Sequence, residues 1–437
     1  MQNRSIKIAI IGGGPMGLAI SYRLSKFGYK TFLFEADDRL GGMTASINFS
    51  GLEIERYYHF HCLSDTTFIN LLKELKLKSK LKWKKTSMGF FYQNKLFKWG
   101  SISSVLTFPQ LSMLTKVRYI LHTLTCLVIF DWKALDRLSA SKWLRIWLGK
   151  KGYNILWSKL FLFKFYKYSD DISAAWIWSR IKRLGLSRKF FKEHLGFLTG
   201  GSKELIDSLE ASILENGGKI NTSTAVLSIL PNEITGAKLI TKKGSENFDV
   251  VISTIPLPLI PKLLNLRKNY QFLINQYQDI TSIACACVLI RTNRKVTNNF
   301  WTNINDDRFD IPGIIEMSNL RELPFHLVYV PFYMPFEHQS YRRNDEDFIS
   351  DAWECLKSLN PTLKDKDLID SQCNRYRYAQ PICDVNFKSK IPSLQPFKNL
   401  YILDTTFYYP EDRGINESLK CGFDLANLIM KNKGEFN

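Results

Sequence analysis

No C-x-x-C pair occurs among the eight cysteines of the 437-residue chain, Cys62, Cys126, Cys285, Cys287, Cys355, Cys373, Cys383 and Cys421, and no second cluster lies at zinc-ligand spacing. Neither a metal site nor a disulfide framework is therefore expected, and the thiols read as reduced, in a cytoplasmic setting. Cys285 and Cys287 share one face of an apolar strand, where small buried side chains are the plain reading. Long hydrophobic runs are missing as well. The apolar run from Ile6 to Ile11 is broken at once by three glycines and is too short for a signal-peptide core. The longest later stretch, Tyr119 to Phe130, carries His122, Thr123 and Thr125 and falls short of the roughly 20 residues that span a bilayer, so no transmembrane helix is expected.

Acidic residues are the third scarcity, confined to one segment. Residues 71–195 hold 26 Lys and Arg against 6 Asp and Glu, while the rest of the chain holds 34 against 35. The net charge of +19 therefore has a single location. At 45% hydrophobic and 23% charged the chain is too apolar for disorder and too polar for a polytopic membrane protein. Its length favours more than one domain.

What is present begins at the N-terminus. A β-rich run, residues 6–11, leads into Gly12-Gly13-Gly14-Pro15-Met16-Gly17 and an amphipathic helical pattern. Gly28 ends the helix, and a second strand, residues 30–34, ends at Glu35, 18 residues after Gly17. This is a βαβ unit with G-x-G-x-x-G at its first turn. Gly12 permits the tight turn, Gly14 lets backbone approach a pyrophosphate, and Gly17 allows helix to pack on strand. The helix N-terminus offers free N–H groups to phosphate, and Glu35 accepts from ribose hydroxyls.

Ala36-Asp37-Asp38-Arg39-Leu40-Gly41-Gly42-Met43-Thr44 follows the acid directly. Here the sequence resembles the flavin-containing amine oxidase superfamily, which includes protoporphyrinogen oxidases, phytoene desaturases and, more distantly, UDP-galactopyranose mutases. The resemblance implies that residues 36–44, with Ala36, Arg39, Gly41, Gly42, Met43 and Thr44, lie along an FAD. Further down, residues 198–205 open an amphipathic helix and 219–229 read as one strand, on which Val226 would pass the adenine. Residues 248–256 look like the strand that returns from the FAD domain. Near the C-terminus, residues 400–404 and 409–418 resemble the last FAD motif. By that resemblance Asp404 would bind the ribityl chain or pyrophosphate, and the helix tip at Gly414, Ile415 and Asn416 would face the flavin pyrimidine. A helix N-terminus there would stabilise the negative charge of reduced flavin.

The implied fold is α/β: a Rossmann-like FAD-binding domain from residues 1–70, 196–256 and 396–437, with an inserted α+β substrate domain from 71–195 and 257–395. The first inserted segment reads as helical, aromatic and basic, and it holds eight of the ten tryptophans. Around Leu156 to Lys167 basic and aromatic residues interleave as on an interfacial helix, and residues 112–130 are a second apolar candidate. Two readings stay open for this charge: a peripheral face on anionic membrane that collects a lipid-like or anionic small molecule, or a solvated surface. Nucleic acid is not expected, because no binding module accompanies the charge. His59 and His61, in a stretch resembling one near the flavin of the mutases, are the weak catalytic candidates; a packed structural role is the alternative.

The implied function is an FAD-dependent oxidoreductase moving a hydride from a substrate C–H to flavin N5. A non-redox mutase acting on a nucleotide sugar is the alternative. No lysine of the kind that some amine oxidases place near the flavin is identified.

Overall fold

The computed structural model describes residues 6–129, 131–189, 192–232, 236–266 and 270–432. Strand β1 (Lys7–Ile11), helix α1 (Pro15–Lys26) and strand β2 (Lys30–Phe34) form the expected βαβ unit. β1 is buried at Ile8, Ala9, Ile10 and Ile11, apolar on both faces, which suits the centre of a parallel sheet. Five parallel strands align in the order Lys219–Asn221, β2, β1, Val250–Ser253 and Leu400–Ile402. On one face α1 packs against helices Ser202–Glu215 and Ile415–Lys431. On the other lies a three-stranded antiparallel sheet, Val226–Pro231, Ala237–Thr241 and Gly244–Phe248, whose Phe248 meets Phe32 and Phe34 edge-on. The fold is mixed α/β with a Rossmann-like sheet.

The single strand expected over 219–229 is two. Lys219–Asn221 joins the parallel sheet, Ser223 turns the chain at φ +48°, and Val226 opens the antiparallel sheet.

A seven-stranded sheet forms the second body, in the order Leu368–Pro381, Ser282–Thr292, His326–Pro335, Gly313–Glu316, Trp301–Asn305, Met88–Tyr92 and Lys95–Trp99. Strand alternation splits its central strands cleanly. Ala286, Val288 and Ile290 pack with Phe348 and Trp353 of helix Asp345–Leu359, while Cys285, Cys287 and Leu289 face the main core. The segment 71–195 is not simply helical: it opens with strands Leu81–Lys85, Met88–Tyr92 and Lys95–Trp99, two of which complete this sheet. Lysines alternate with apolar residues at 81–84, a period-two pattern that an overall count of charge conceals. Among the described residues six α-helices follow, Ile102–Thr107, Met113–Val128, the short Lys133–Asp136, Ala140–Tyr153, Lys159–Phe165 and Ala174–Leu186. The interleaved run expected to lie on a surface folds inward, with Leu156, Phe161, Phe163, Lys164 and Phe165 buried. Among the described residues no helix is long and apolar enough to cross a membrane.

Candidate active site

A cleft of about 390 Å³ runs from the end of β2, across the first turn of α1, to the tip of helix Ile415–Lys431. Gly12, at φ +106°, makes the turn. Gly17 is a packing residue, since a Cβ there would sit 2.0 Å from the Gly12 carbonyl oxygen. Gly14 is different: a Cβ on it would meet nothing within 4 Å, because the space above it is the cleft. Glu35 is held by two backbone donors, Gly13 N–H to Oε2 at 2.6 Å and Asp37 N–H to Oε1 at 2.8 Å, and its carboxylate lines the same cleft. Gly41 N–H donates to Gly13 O at 2.8 Å, tying the second glycine loop to the first and bringing Gly42, Met43 and Thr44 to the wall. Asp404, at the far end, accepts from Thr406 N–H at 2.8 Å and Leu257 N–H at 2.9 Å, and burial raises its carboxyl. Glu35 and Asp404 thus line one groove.

A second cavity of about 200 Å³, rich in aromatic side chains, adjoins the cleft. Tyr58, Phe60, Lys164, Arg180, Trp301 and Tyr333 line both. At this junction Lys164 Nζ lies 4.9 Å from the ring centre of Trp176, 5.4 Å from that of Tyr333 and 5.5 Å from that of Phe165. Burial, then the Arg180 and Arg413 cations, pull its ammonium well below the ordinary lysine range. Arg180 donates to Asp412 at 2.6 Å, and Arg413 donates to Tyr333 Oη at 3.0 Å. Burial alone would raise the Asp412 carboxyl; Arg180, Lys164 and Arg413 together hold it low. Two guanidinium cations and a lysine with a depressed pKa therefore meet one carboxylate at the junction.

The two histidines part company. His59 lines the cleft with Nδ1 unpartnered, and burial lowers its imidazole. His61 lies off the cleft, stacked on Phe68 at 3.6 Å between ring centres, and burial pushes it down to about 3. It is a structural imidazole, neutral in the fold, whereas the unfolded chain takes up its proton at ordinary histidine pH. Stability is therefore lost as pH falls from about 6.5 towards 4, by up to about 1.4 kcal/mol per pH unit. Denaturation of wild type and His61→Phe over that window should show their stability difference changing with this slope, while kcat/KM keeps one pH profile. A shifted profile would return His61 to the catalytic candidates.

The sequence model for flavin containing amine oxidoreductase matches residues 17–381. The chain belongs to that family. As a member it is a flavin-dependent oxidoreductase whose cofactor is FAD. No curated protein matches it. Among solved structures it is similar to a protein assigned as a protoporphyrinogen oxidase from Exiguobacterium sp. 255-15, at 18% identity and TM-score 0.74 over 98% of this chain and 99% of that one. It is similar also to reduced UDP-galactopyranose mutase, at 15% identity and TM-score 0.76 over 98% and 96%. Putrescine oxidase with bound putrescine gives 15% identity and TM-score 0.74 over 98% and 99%. At these identities the matches establish the fold.

The residues present fit this flavoprotein family's cofactor. Helix α1 and helix Ile415–Lys431 both start on glycines with no N-cap side chain, Gly14 and Gly414, and both tips lie at the cleft. Open space over Gly14, a carboxylate at one end and a helix tip at the other are the donor set that an adenine dinucleotide needs. Of the expected cofactor residues, Gly12, Gly14, Pro15, Met16, Glu35, Gly42, Met43, Thr44, Asp404, Gly414 and Ile415 line the cleft. Gly17, Ala36, Arg39, Gly41, Val226 and Asn416 do not. Arg39 turns outward to Asp37 and Asp38. Val226 follows Thr224, whose N–H donates to Glu35 O at 2.8 Å. The Asn416 side chain accepts from Phe68 N–H at 3.1 Å and so caps helix Thr66–Glu74. Glu417 occupies the same first turn, its carboxyl raised by burial.

Sequence reasoning missed Tyr58, Lys164, Arg180, Cys285, Cys287, Tyr333 and Arg413 on these walls. Arg413 carried a signal, standing next to Gly414 in the C-terminal motif, and Arg180 another, closing the stretch 173–180 that resembles a signature of protoporphyrinogen-oxidase-like proteins. The thiols of Cys285 and Cys287 are pushed up by burial, Cys285 to about 12, which leaves them without thiolate character.

Proposed function

We propose that the protein oxidises a small molecule with a flat or apolar body and an anionic group, taking a hydride from one of its C–H bonds. The observation that carries this reading is the junction of the two cavities, where an aromatic chamber meets a wall of Lys164, Arg180 and Arg413 beside Asp412. FAD, when bound beside this junction, would supply the hydride acceptor and the route for electrons to oxygen or another acceptor. The cations hold a carboxylate or phosphate of the substrate, with Arg413 beside the helix tip at Gly414. The rings of Trp176, Tyr333 and Tyr58 flank the body and keep water from the reacting carbon. An ammonium substrate would meet like charge here, which argues against simple amines.

The test is anaerobic mixing of the flavin-loaded protein with aromatic compounds that share one body and carry either a carboxylate or an ammonium. Bleaching of the flavin absorbance by carboxylates is expected. Faster bleaching by the amines would overturn the reading. A second reading, a non-redox mutase on a nucleotide sugar, draws on the same cations, which also suit a diphosphate. Turnover that needs prereduced flavin but consumes no reductant would favour it.

A further inference from the structure

Helix Met113–Val128 has one face too many. Its inner face is conventional: Lys116, His122 and Cys126 are buried, and Tyr119 and Thr123 line the aromatic chamber. The opposite face carries Leu114, Val117, Leu121, Leu124 and Val128 at alternating spacings of three and four, a continuous stripe at helical period. Every one of them faces solvent, with Leu114 and Val128 both 67% exposed and Leu121 51%. Two helices that contact this one, Ile102–Thr107 and Ala140–Tyr153, add exposed Ile102, Leu106 and Ile146. The chain has ample core for its apolar residues, so a row of exposed large aliphatic side chains on one helix marks an interaction surface.

Charge identifies what the surface meets. Helices Ile102–Thr107, Met113–Val128 and Ala140–Tyr153 contain no Asp or Glu at all. Lys142 stands one turn from Ile146, Arg145 precedes it, and Lys150 and Lys151 follow, all exposed. Acid stands only beside the layer, in Asp170, paired with Arg145 at 3.8 Å, and Asp131, past the end of the stripe; an apolar stripe whose own helices carry cations and no carboxylate matches an anionic lipid surface. At about 1.5 Å per residue the helix is about 24 Å long, a length that lies in the plane of a headgroup layer rather than across it.

We infer that this helical layer docks on an anionic membrane and that the chamber beneath it receives its substrate from the lipid phase. The second half rests on the proposed function: the same helix that presents Leu121 and Leu124 outward presents Tyr119 and Thr123 to the chamber, so lipid and cavity are separated by one helix. The class of substrate narrows to anionic molecules apolar enough to partition into a bilayer.

Vesicle co-sedimentation of the flavin-loaded full chain tests it. Vesicles of phosphatidylcholine alone are compared with vesicles in which about one-third of the lipid is phosphatidylglycerol. Binding at least about tenfold tighter to the anionic vesicles is expected, and it should weaken as salt rises towards about 1 M, where the Debye length shrinks to ~3 Å. The double variant Leu114→Glu, Leu121→Glu, altered only at exposed positions, should keep its flavin spectrum and lose vesicle binding. Lys142→Glu should weaken binding to anionic vesicles alone. No pelleting of wild type with anionic vesicles, equal pelleting with both compositions, or unchanged pelleting of the double variant would each overturn the inference. So would sedimentation velocity showing a wild-type dimer that the double variant breaks, because the patch would then be a contact between two copies. Flavin absorbance and reduction, read on the same samples, report the cofactor and substrate readings separately.

Discussion

Gly14→Leu is expected to give a folded protein that has lost FAD. The backbone at this position is extended, at φ −72° and ψ 175°, a conformation open to any residue, and a Cβ meets no atom within 4 Å. Nothing in the fold therefore resists the substitution. The leucine side chain would instead occupy the groove in front of the uncapped first turn of α1, where the pyrophosphate must approach backbone N–H groups. Affinity for FAD should fall by more than about 100-fold, or about 3 kcal/mol, measured by flavin release on dilution, with the thermal midpoint of the apoprotein unchanged. Gly17→Leu makes the contrast. There the new Cβ strikes the Gly12 carbonyl at 2.0 Å, and the protein should lose stability first and flavin as a consequence. A Gly14→Leu protein that retains stoichiometric FAD would remove the cleft from its assigned role.

Lys164→Met is expected to separate stability from activity. The side chain is buried against three rings, its ammonium held well below the ordinary range by burial. A lysine whose folded pKa is depressed lowers stability at every pH below its unfolded value, since the unfolded chain gains the charge freely. Methionine, of similar shape and uncharged, removes that cost, so the thermal midpoint should rise at neutral pH and the gain should shrink as pH climbs towards about 10.5. The reductive half-reaction with an anionic substrate should meanwhile fall by about 10- to 100-fold in kcat/KM, the size of one hydrogen bond from the amine to an anionic group. A variant that is both less stable and equally active would show that Lys164 is ordinary core and would weaken the case for an anionic substrate.

How far the sequence carried these conclusions depends on the range over which each signal acts. The βαβ unit and its Glu35 were legible because turn, strand and helix patterns are local, and the glycines that shape them leave spacing as their mark. Asp404 and Gly414 were reached through resemblance to a family, because nothing within 15 residues of them says that they lie opposite Gly14. The strands at 81–99 were hidden by their lysines, which put a solvated face on a sheet edge and read as a basic helical segment. Lys164 was the hardest case. Its neighbours in sequence are aromatic residues that suit an interface, and only the packing of helix Lys159–Phe165 beneath strand His326–Pro335 turns that run inward. The exposed stripe at 114–128 is the converse: the apolar period was visible, but not which face of it the tertiary structure leaves open.

The parallel sheet has a consequence for biosynthesis. Its middle strand pairs with residues 250–253, which pair in turn with 400–402, and the helix behind them begins only at Ile415. A nascent polypeptide emerging from the ribosome therefore holds the first glycine loop ready for hundreds of residues before its counterpart exists. Such non-local closure is slow and leaves strand edges bare in the interval. The flavin is then best loaded after translation ends, as the last element to lock the two chain ends together.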